Sequence, residues 1–181
     1  MGFGTKTNIE FPAEQSGFVN PPENWSKQSL ISLSYGYEIS VTLIQLASFF
    51  SMIACDGKKV APHLIMNDRE IKPIQVYSPE SIAIIKDMLK KTAEYGTGKK
   101  TQLDNFTVMS KTGTANLLID GAYDQTRHLL SCAGIIEKGD YKRVIVVFIK
   151  DPGIYNAYAA TVAAPFFKRV AQAMVIHDRV V

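Results

Sequence analysis

Residues 143–149, Arg143-Val144-Ile145-Val146-Val147-Phe148-Ile149, constrain the fold more than any other stretch of this chain. Successive side chains of a strand point to opposite faces, so a run this uniformly apolar is apolar on both. That predicts a central strand covered by helices on each side rather than a half-exposed surface strand. Two more segments, 106–112 and 130–136, are rich in β-branched and apolar residues and bounded by Gly or Asp turns. Glu137-Lys138-Gly139-Asp140 reads as a hairpin turn joining 130–136 to 143–149, which makes them antiparallel. The strands therefore form a meander over 104–150.

The remaining segments supply the cover. Thr42-Leu43-Ile44-Gln45 is a capping box, and Leu43, Leu46, Ala47, Phe50 and Ala54 keep the helical period up to the stop at Asp56-Gly57. Ser78-Pro79-Glu80 opens a second helix, with Ser at the cap and Pro at the first position; Ile82, Ile85 and Leu89 carry its apolar face to Tyr95-Gly96-Thr97-Gly98. A closing helix spans 159–176 with Pro165 as a candidate kink. Residues 1–40 are loop-rich, because Phe11-Pro12, Ser16-Gly17 and Asn20-Pro21-Pro22-Glu23-Asn24 interrupt any regular element, and 41–95 are helical. With no repeat or linker dividing it, the whole of 1–181 reads as part of a single α+β domain: a strand meander covered by helices.

Composition removes several functions. The net charge is only +3 over 181 residues and the basic residues are scattered, so a nucleic-acid footprint is not supported. The longest apolar stretch, 43–55, is broken by Gln45, Ser48 and Ser51 and falls short of the roughly 18 residues of a membrane helix. No targeting pattern stands at the start. Cys55 and Cys132 lack metal-ligand spacing and read as buried small apolar residues, while His63, His128 and His177 are isolated in sequence. No metal or organic cofactor is implied. Trp25 reads as a hydrophobic anchor.

The chemistry concentrates in Ser110-Lys111-Thr112-Gly113-Thr114-Ala115, at the end of the first predicted strand. Lys-Thr-Gly is an element of serine acyl-enzymes of the penicillin-binding and β-lactamase type. A strand-end Lys111 supplies a cation that favours a neighbouring serine's ionisation and attracts a carboxylate. Thr112 and Thr114 lie two apart, so their hydroxyls share a side and suit one carboxylate. Gly113 allows close approach of a ligand backbone, and the Thr114 N–H suits a developing oxyanion. Taken alone, the three residues equally fit a solvent-facing edge strand.

The wider sequence resembles a class B penicillin-binding protein, the transpeptidases of bacterial cell division and elongation. Gly2-Phe3-Gly4-Thr5-Lys6-Thr7-Asn8-Ile9, Pro12-Ala13-Glu14, Ser16-Gly17, Ser34-Tyr35-Gly36-Tyr37 and Ile39-Ser40-Val41-Thr42 with Gln45-Leu46-Ala47 are similar to consecutive family segments. Gly96-Thr97-Gly98-Lys99-Lys100 ahead of Lys111-Thr112-Gly113, and Asp151-Pro152 before Val162-Ala163-Ala164-Pro165, continue the same order. Two family motifs, Ser-x-x-Lys and Ser-x-Asn, occur nowhere in the chain, and Cys55-Asp56-Gly57-Lys58 has the spacing only where a helix stops. Leu43 stands where the family usually has Pro, and Tyr158-Ala159-Ala160 where it has Tyr-Gly-Gly.

The resemblance implies the C-terminal part of the penicillin-binding, β-lactamase-like fold. It implies peptidoglycan cross-linking by serine acyl transfer, with Lys111 and Thr114 catalytic and Thr112, Gly113 and Thr114 substrate-binding. The implied partners are a peptidoglycan stem peptide, β-lactams, the upstream half of the same domain and division or elongation proteins, on the outer face of the inner membrane. The missing motifs keep a non-catalytic remnant or binding module for a cell-wall peptide or partner protein open as an alternative. A phosphate loop at 96–100 is disfavoured: Ala93 stands where Gly is needed, Lys100 where Ser or Thr is needed, and a helix precedes it.

Overall fold

The computed structural model describes residues 2–65, 72–154 and 157–180. Its N-terminal strip carries β1 (Phe18–Val19), α1 (Ser29–Ser34) and β2 (Ile39–Ser40), with β1 and β2 paired antiparallel. Next come α2 (Leu43–Ala54), the short pair β3 (Lys58–Lys59) and β4 (Ile74–Gln75), and α3 (Pro79–Tyr95). A 3-10 turn at Lys99–Thr101 leads into β5 (Thr107–Ile119), β6 (Ala122–Lys138) and β7 (Tyr141–Lys150), and α4 (Ala163–His177) closes the chain.

The helix starts follow their sequence signals. Thr42 Oγ1 accepts from the Gln45 N–H at 3.2 Å while Gln45 Oε1 accepts from the Thr42 N–H at 2.9 Å, a complete capping box. The Gln45 amide then donates to the carbonyls of Thr5 (2.8 Å) and Ser16 (2.7 Å), so one buried side chain both caps α2 and fastens the N-terminal strip to it. Ser78 caps α3 through the Ser81 N–H, with Pro79 in the first turn. The closing helix begins at Ala163 rather than Ala159, which puts Pro165 at its third residue. An N–H there has no intrahelical partner in any helix, so Pro165 produces no kink.

The three long strands form one antiparallel sheet in the order β5-β6-β7. The apolar run of β7 is covered on both faces, but the strand lies at an edge of this sheet among the described residues, and β6 is the central strand. On one face α4 lays Ala163, Ala164, Phe167 and Ala171 over Val108, Leu130, Cys132, Ile145 and Val147. The three alanines let the helix approach closely. Phe167, fully buried, contributes on the order of 2–3 kcal/mol through the apolar surface it removes from water. On the other face Phe50, Ile53 and Ala54 of α2, with Ile82 of α3, cover Met109, Ala133 and Ile135. Two residues of the expected helical faces stay exposed, Leu43 at 49% and Ile85 at 39%. Ile85 lines an apolar groove between α2 and α3 with Phe49, Ile53 and Tyr77.

The hairpin joining β5 to β6 lies outside the predicted turns. Asp120 and Gly121 form a two-residue loop, both at positive φ (49° and 82°), closed by the Ile119–Ala122 pair. That is the conformation Asp-Gly favours. The register of β5 on β6 shifts between Asn116 and Leu117, which leaves residues 125–127 of β6 unpaired with β5. Cys132 is buried as expected, whereas Cys55 is exposed, because it caps the C-terminal end of α2 and belongs to neither core cluster. Trp25 is half-exposed, its indole N–H donating to the Asn20 carbonyl at 2.7 Å. His63 pairs with Glu10, His128 with Asn116 and His177 with Asp178. None of the described helices is long and apolar enough to cross a membrane.

Candidate active site

Residues 110–115 lie in the middle of β5, whose margin away from β6 carries no further strand among the described residues. The register sets Lys111 opposite Ala133, Thr112 opposite Cys132, Gly113 opposite Ser131 and Thr114 opposite Leu130. Cys132 and Leu130 belong to the α4 face and Ala133 to the α2 face. Strand alternation therefore puts Thr112 and Thr114 together on the α4 side, and Lys111 and Gly113 on the other. The long Lys111 side chain bends along the strand, and its Nζ donates to the Thr112 carbonyl at 2.7 Å. Among the described residues Lys111 has no carboxylate partner, although its charge is strong enough to act on the neighbouring thiol. Burial pushes the Cys132 thiol up to about 12, against the opposing pull of Lys111, so Cys132 stays protonated and is no nucleophile.

The two threonine hydroxyls are held differently. Thr114 Oγ1 accepts from the Ala159 N–H at 3.0 Å, which occupies a lone pair and leaves the hydroxyl proton free to donate. Thr112, only 7% exposed, has its hydroxyl 2.6 Å from that of Thr97. The loop bearing Thr97 is pinned to the same strand two residues away, at Ser110. Thr101 Oγ1 donates to the Gly98 carbonyl (2.7 Å) and takes the proton of the buried Ser110 hydroxyl (2.9 Å). Gly98 allows this approach, since a Cβ there would stand 2.5 Å from Ser110 Oγ. A Cβ on Gly113 would stand 2.6 Å from Ser131 Oγ, so its missing side chain is already required by the cross-strand neighbour.

All four residues expected from the sequence thus sit on one six-residue stretch. Thr97 and the Ala159 N–H join them and lie outside the sequence motif, the first 15 residues and the second 45 residues away in sequence from its partner. The 96–100 segment is visible in the sequence as part of the motif order, but no spacing rule marks a hydroxyl pair between it and Thr112. Beyond Thr114 the same face continues to Asn116, whose Oδ1 lies 3.1 Å from His128 Nδ1. A cavity of about 230 Å³ opens there between His128 and Asp151, which the Arg127 guanidinium holds at 2.7 Å. The arrangement offers a cation and two hydroxyls along an open strand margin, a combination suited to an anionic, carboxylate-bearing peptide end.

The fold and this strand are those of a transpeptidase domain, and the sequence matches the family described as "Penicillin binding protein transpeptidase domain" over residues 1–172. The chain belongs to that family. It is 29% identical over 191 residues to penicillin-binding protein PbpB of Mycolicibacterium smegmatis, covering 94% of this chain and 30% of that protein. It is 27% identical over 171 residues to the probable peptidoglycan D,D-transpeptidase PenA of Neisseria flavescens, covering 94% of this chain and 43% of that protein. Among solved structures, the transpeptidase domain of Burkholderia pseudomallei penicillin-binding protein 3 superposes with TM-score 0.87 at 26% identity, covering 99% of this chain and 55% of that one. The corresponding Mycobacterium tuberculosis protein complexed with aztreonam superposes with TM-score 0.85 at 25% identity, covering 99% and 44%. The chain therefore spans well under two thirds of each of these relatives.

Proposed function

We propose that this chain supplies one wall of the active site of a peptidoglycan transpeptidase that works by serine acyl transfer. The observation that carries the reading is a cation with no carboxylate partner among the described residues, Lys111, set on one strand with the hydroxyls of Thr112 and Thr114. In this reading the substrate is a stem peptide ending in D-alanyl-D-alanine, and β-lactams occupy the same place. Thr112 and Thr114 hold the terminal carboxylate and Gly113 keeps the strand free of a side chain. Lys111 stabilises negative charge and relays a proton, and the Thr114 N–H donates to the oxyanion as the carbonyl carbon becomes tetrahedral. The serine that forms the acyl-enzyme comes from a Ser-x-x-Lys motif, which these 181 residues do not contain. It belongs to an upstream part of the domain that packs against this one, outside the cytoplasm, where division or elongation proteins are the expected partners.

The reading is tested in a domain completed with an upstream segment bearing Ser-x-x-Lys and Ser-x-Asn. Lys111→Ala lowers the rate of labelling by fluorescent penicillin by at least about 100-fold, the typical cost of losing a positioned acid–base or charge-stabilising group. A rate within a few-fold of the unsubstituted domain removes Lys111 from the mechanism. The absence of both motifs from the sequence favours a second reading, a module that holds a cell-wall peptide without turnover. Saturable binding of a D-alanyl-D-alanine peptide by the completed domain, with no labelling, selects it.

A further inference from the structure

The hydroxyl of Thr112 is the one member of the proposed carboxylate cradle whose polarity the protein leaves undecided. Thr114 receives the Ala159 N–H and therefore has its proton free. Thr112 and Thr97 face each other hydroxyl to hydroxyl at 2.6 Å, and either one serves as donor. If Thr112 donates to Thr97, it presents only lone pairs to the cleft and repels a carboxylate. If Thr97 donates to Thr112, the Thr112 proton is free and its O–H is further polarised by the bond it receives. Thr97 has no other partner among the described residues to compete for its proton. The loop that presents it is held rigidly: Thr101, fully buried, bonds both the Gly98 carbonyl and Ser110, and Gly98 packs directly on Ser110.

We infer that Thr97 is a positioning residue for Thr112, a hydroxyl that an incoming carboxylate turns into a donor, so that two protons point in line from Thr97 through Thr112 to the ligand. This rests on the proposed carboxylate role of Thr112. Thr97 does not touch the ligand itself. Because it acts on ligand affinity rather than on the bond being made, its effect falls on the concentration dependence of acylation and not on the limiting rate.

Two measurements on Thr97→Val and Thr97→Ser test it. In the 181-residue chain, side-chain three-bond couplings of Thr112 read its χ1 distribution by NMR. The unsubstituted chain and the Thr97→Ser variant show a single rotamer, whereas the Thr97→Val variant, which keeps the shape and lacks the hydroxyl, shows averaging with the fold retained by circular dichroism. In the completed domain Thr97→Val needs about fivefold more penicillin for half-maximal labelling, the size of one lost hydrogen bond, with the limiting rate unchanged, and Thr97→Ser labels as the unsubstituted domain does. Thr97→Val adds nothing further in a Thr112→Val background. A Thr112 rotamer indifferent to Thr97→Val, or labelling unchanged by it, overturns the inference. A completed domain that penicillin never labels sinks the transpeptidase reading instead, and the coupling measurement then decides the Thr97–Thr112 link by itself.

Discussion

Replacing Gly98 by alanine probes the contact that seats the 96–101 loop on the active-site strand. The new Cβ stands 2.5 Å from Ser110 Oγ, 3.1 Å from the Thr92 carbonyl oxygen and 3.2 Å from Ala93 Cα. Ser110 cannot swing aside freely, since its hydroxyl is buried and bonded to Thr101 at 2.9 Å. Overpacking of this kind costs about 1–3 kcal/mol. Against it stands about 0.4–1 kcal/mol from the lower entropy of the unfolded alanine chain, because Gly98 has an ordinary φ of −83° that alanine also adopts. The net destabilisation is about 1–2 kcal/mol, or roughly 2–8 °C in melting temperature for a chain this size. Urea unfolding followed by far-ultraviolet circular dichroism measures it. Ser110→Ala alone costs about 1 kcal/mol for the lost bond to Thr101. In that background the Gly98→Ala penalty shrinks by about 1 kcal/mol, because the nearest obstacle is gone. Penalties that simply add within about 0.5 kcal/mol would show that Gly98 is not seated on Ser110 and refute the clamp.

Three residues tie β7 to the end of α4: Asp178 accepts from the Tyr141 hydroxyl at 2.9 Å and from the Arg143 guanidinium at 2.7 Å. Its carboxyl is held below the ordinary Asp value of 3.8, first by the His177 hydrogen bond and then by Tyr141 and Arg143. A depressed folded value means that the stabilisation is complete above pH 3.8 and is lost as pH falls through the lower folded value. Thermal melts therefore show Asp178→Asn less stable than the unsubstituted chain at neutral pH, the gap closing as pH falls below 3.8 and through the lower folded value, and a gap independent of pH contradicts the assignment. A separate expectation concerns the α2–α3 groove of about 500 Å³ lined by Phe49, Ile53, Tyr77, Ile82 and Ile85, beside Ile84 and Met88 exposed at 58% and 57%. Together with the open margin of β7, it makes the chain self-associate and bind apolar dyes, and a stable monomer by sedimentation at high concentration, with no dye binding, counts against it.

Local signals are legible wherever one residue type satisfies one backbone need. The Thr42–Gln45 capping box, the Ser78 cap and the Gly139-Asp140 turn each appear where their sequence places them. Asp120-Gly121 carries an equally strong hairpin signal, but the apolar residues around it, Leu117 and Leu118, lie beyond the segment that reads as strand, so the turn has no visible partner. The apolar run of β7 correctly requires cover on both faces, yet cover by α2 and α4 does not require strands on both sides, and among the described residues the run lies at an edge. At the site, Lys111, Thr112, Gly113 and Thr114 are visible as a contiguous motif. Their partners Thr97 and Ala159 are not, because a hydrogen bond from a loop to a strand depends on the tertiary path and leaves no period in the sequence.

Intact-mass spectrometry after incubation with penicillin tests the central claim most directly. A covalent acyl-enzyme needs a nucleophile activated by a nearby base, and no serine in these 181 residues has a lysine three positions on. The chain alone therefore gains no mass, while the same chain joined to an upstream segment bearing Ser-x-x-Lys and Ser-x-Asn gains one opened lactam on the upstream serine. An adduct on the isolated chain, mapped to any of its serines or to the exposed Cys55, would show that it carries its own nucleophile and contradict its assignment as one wall of a shared site.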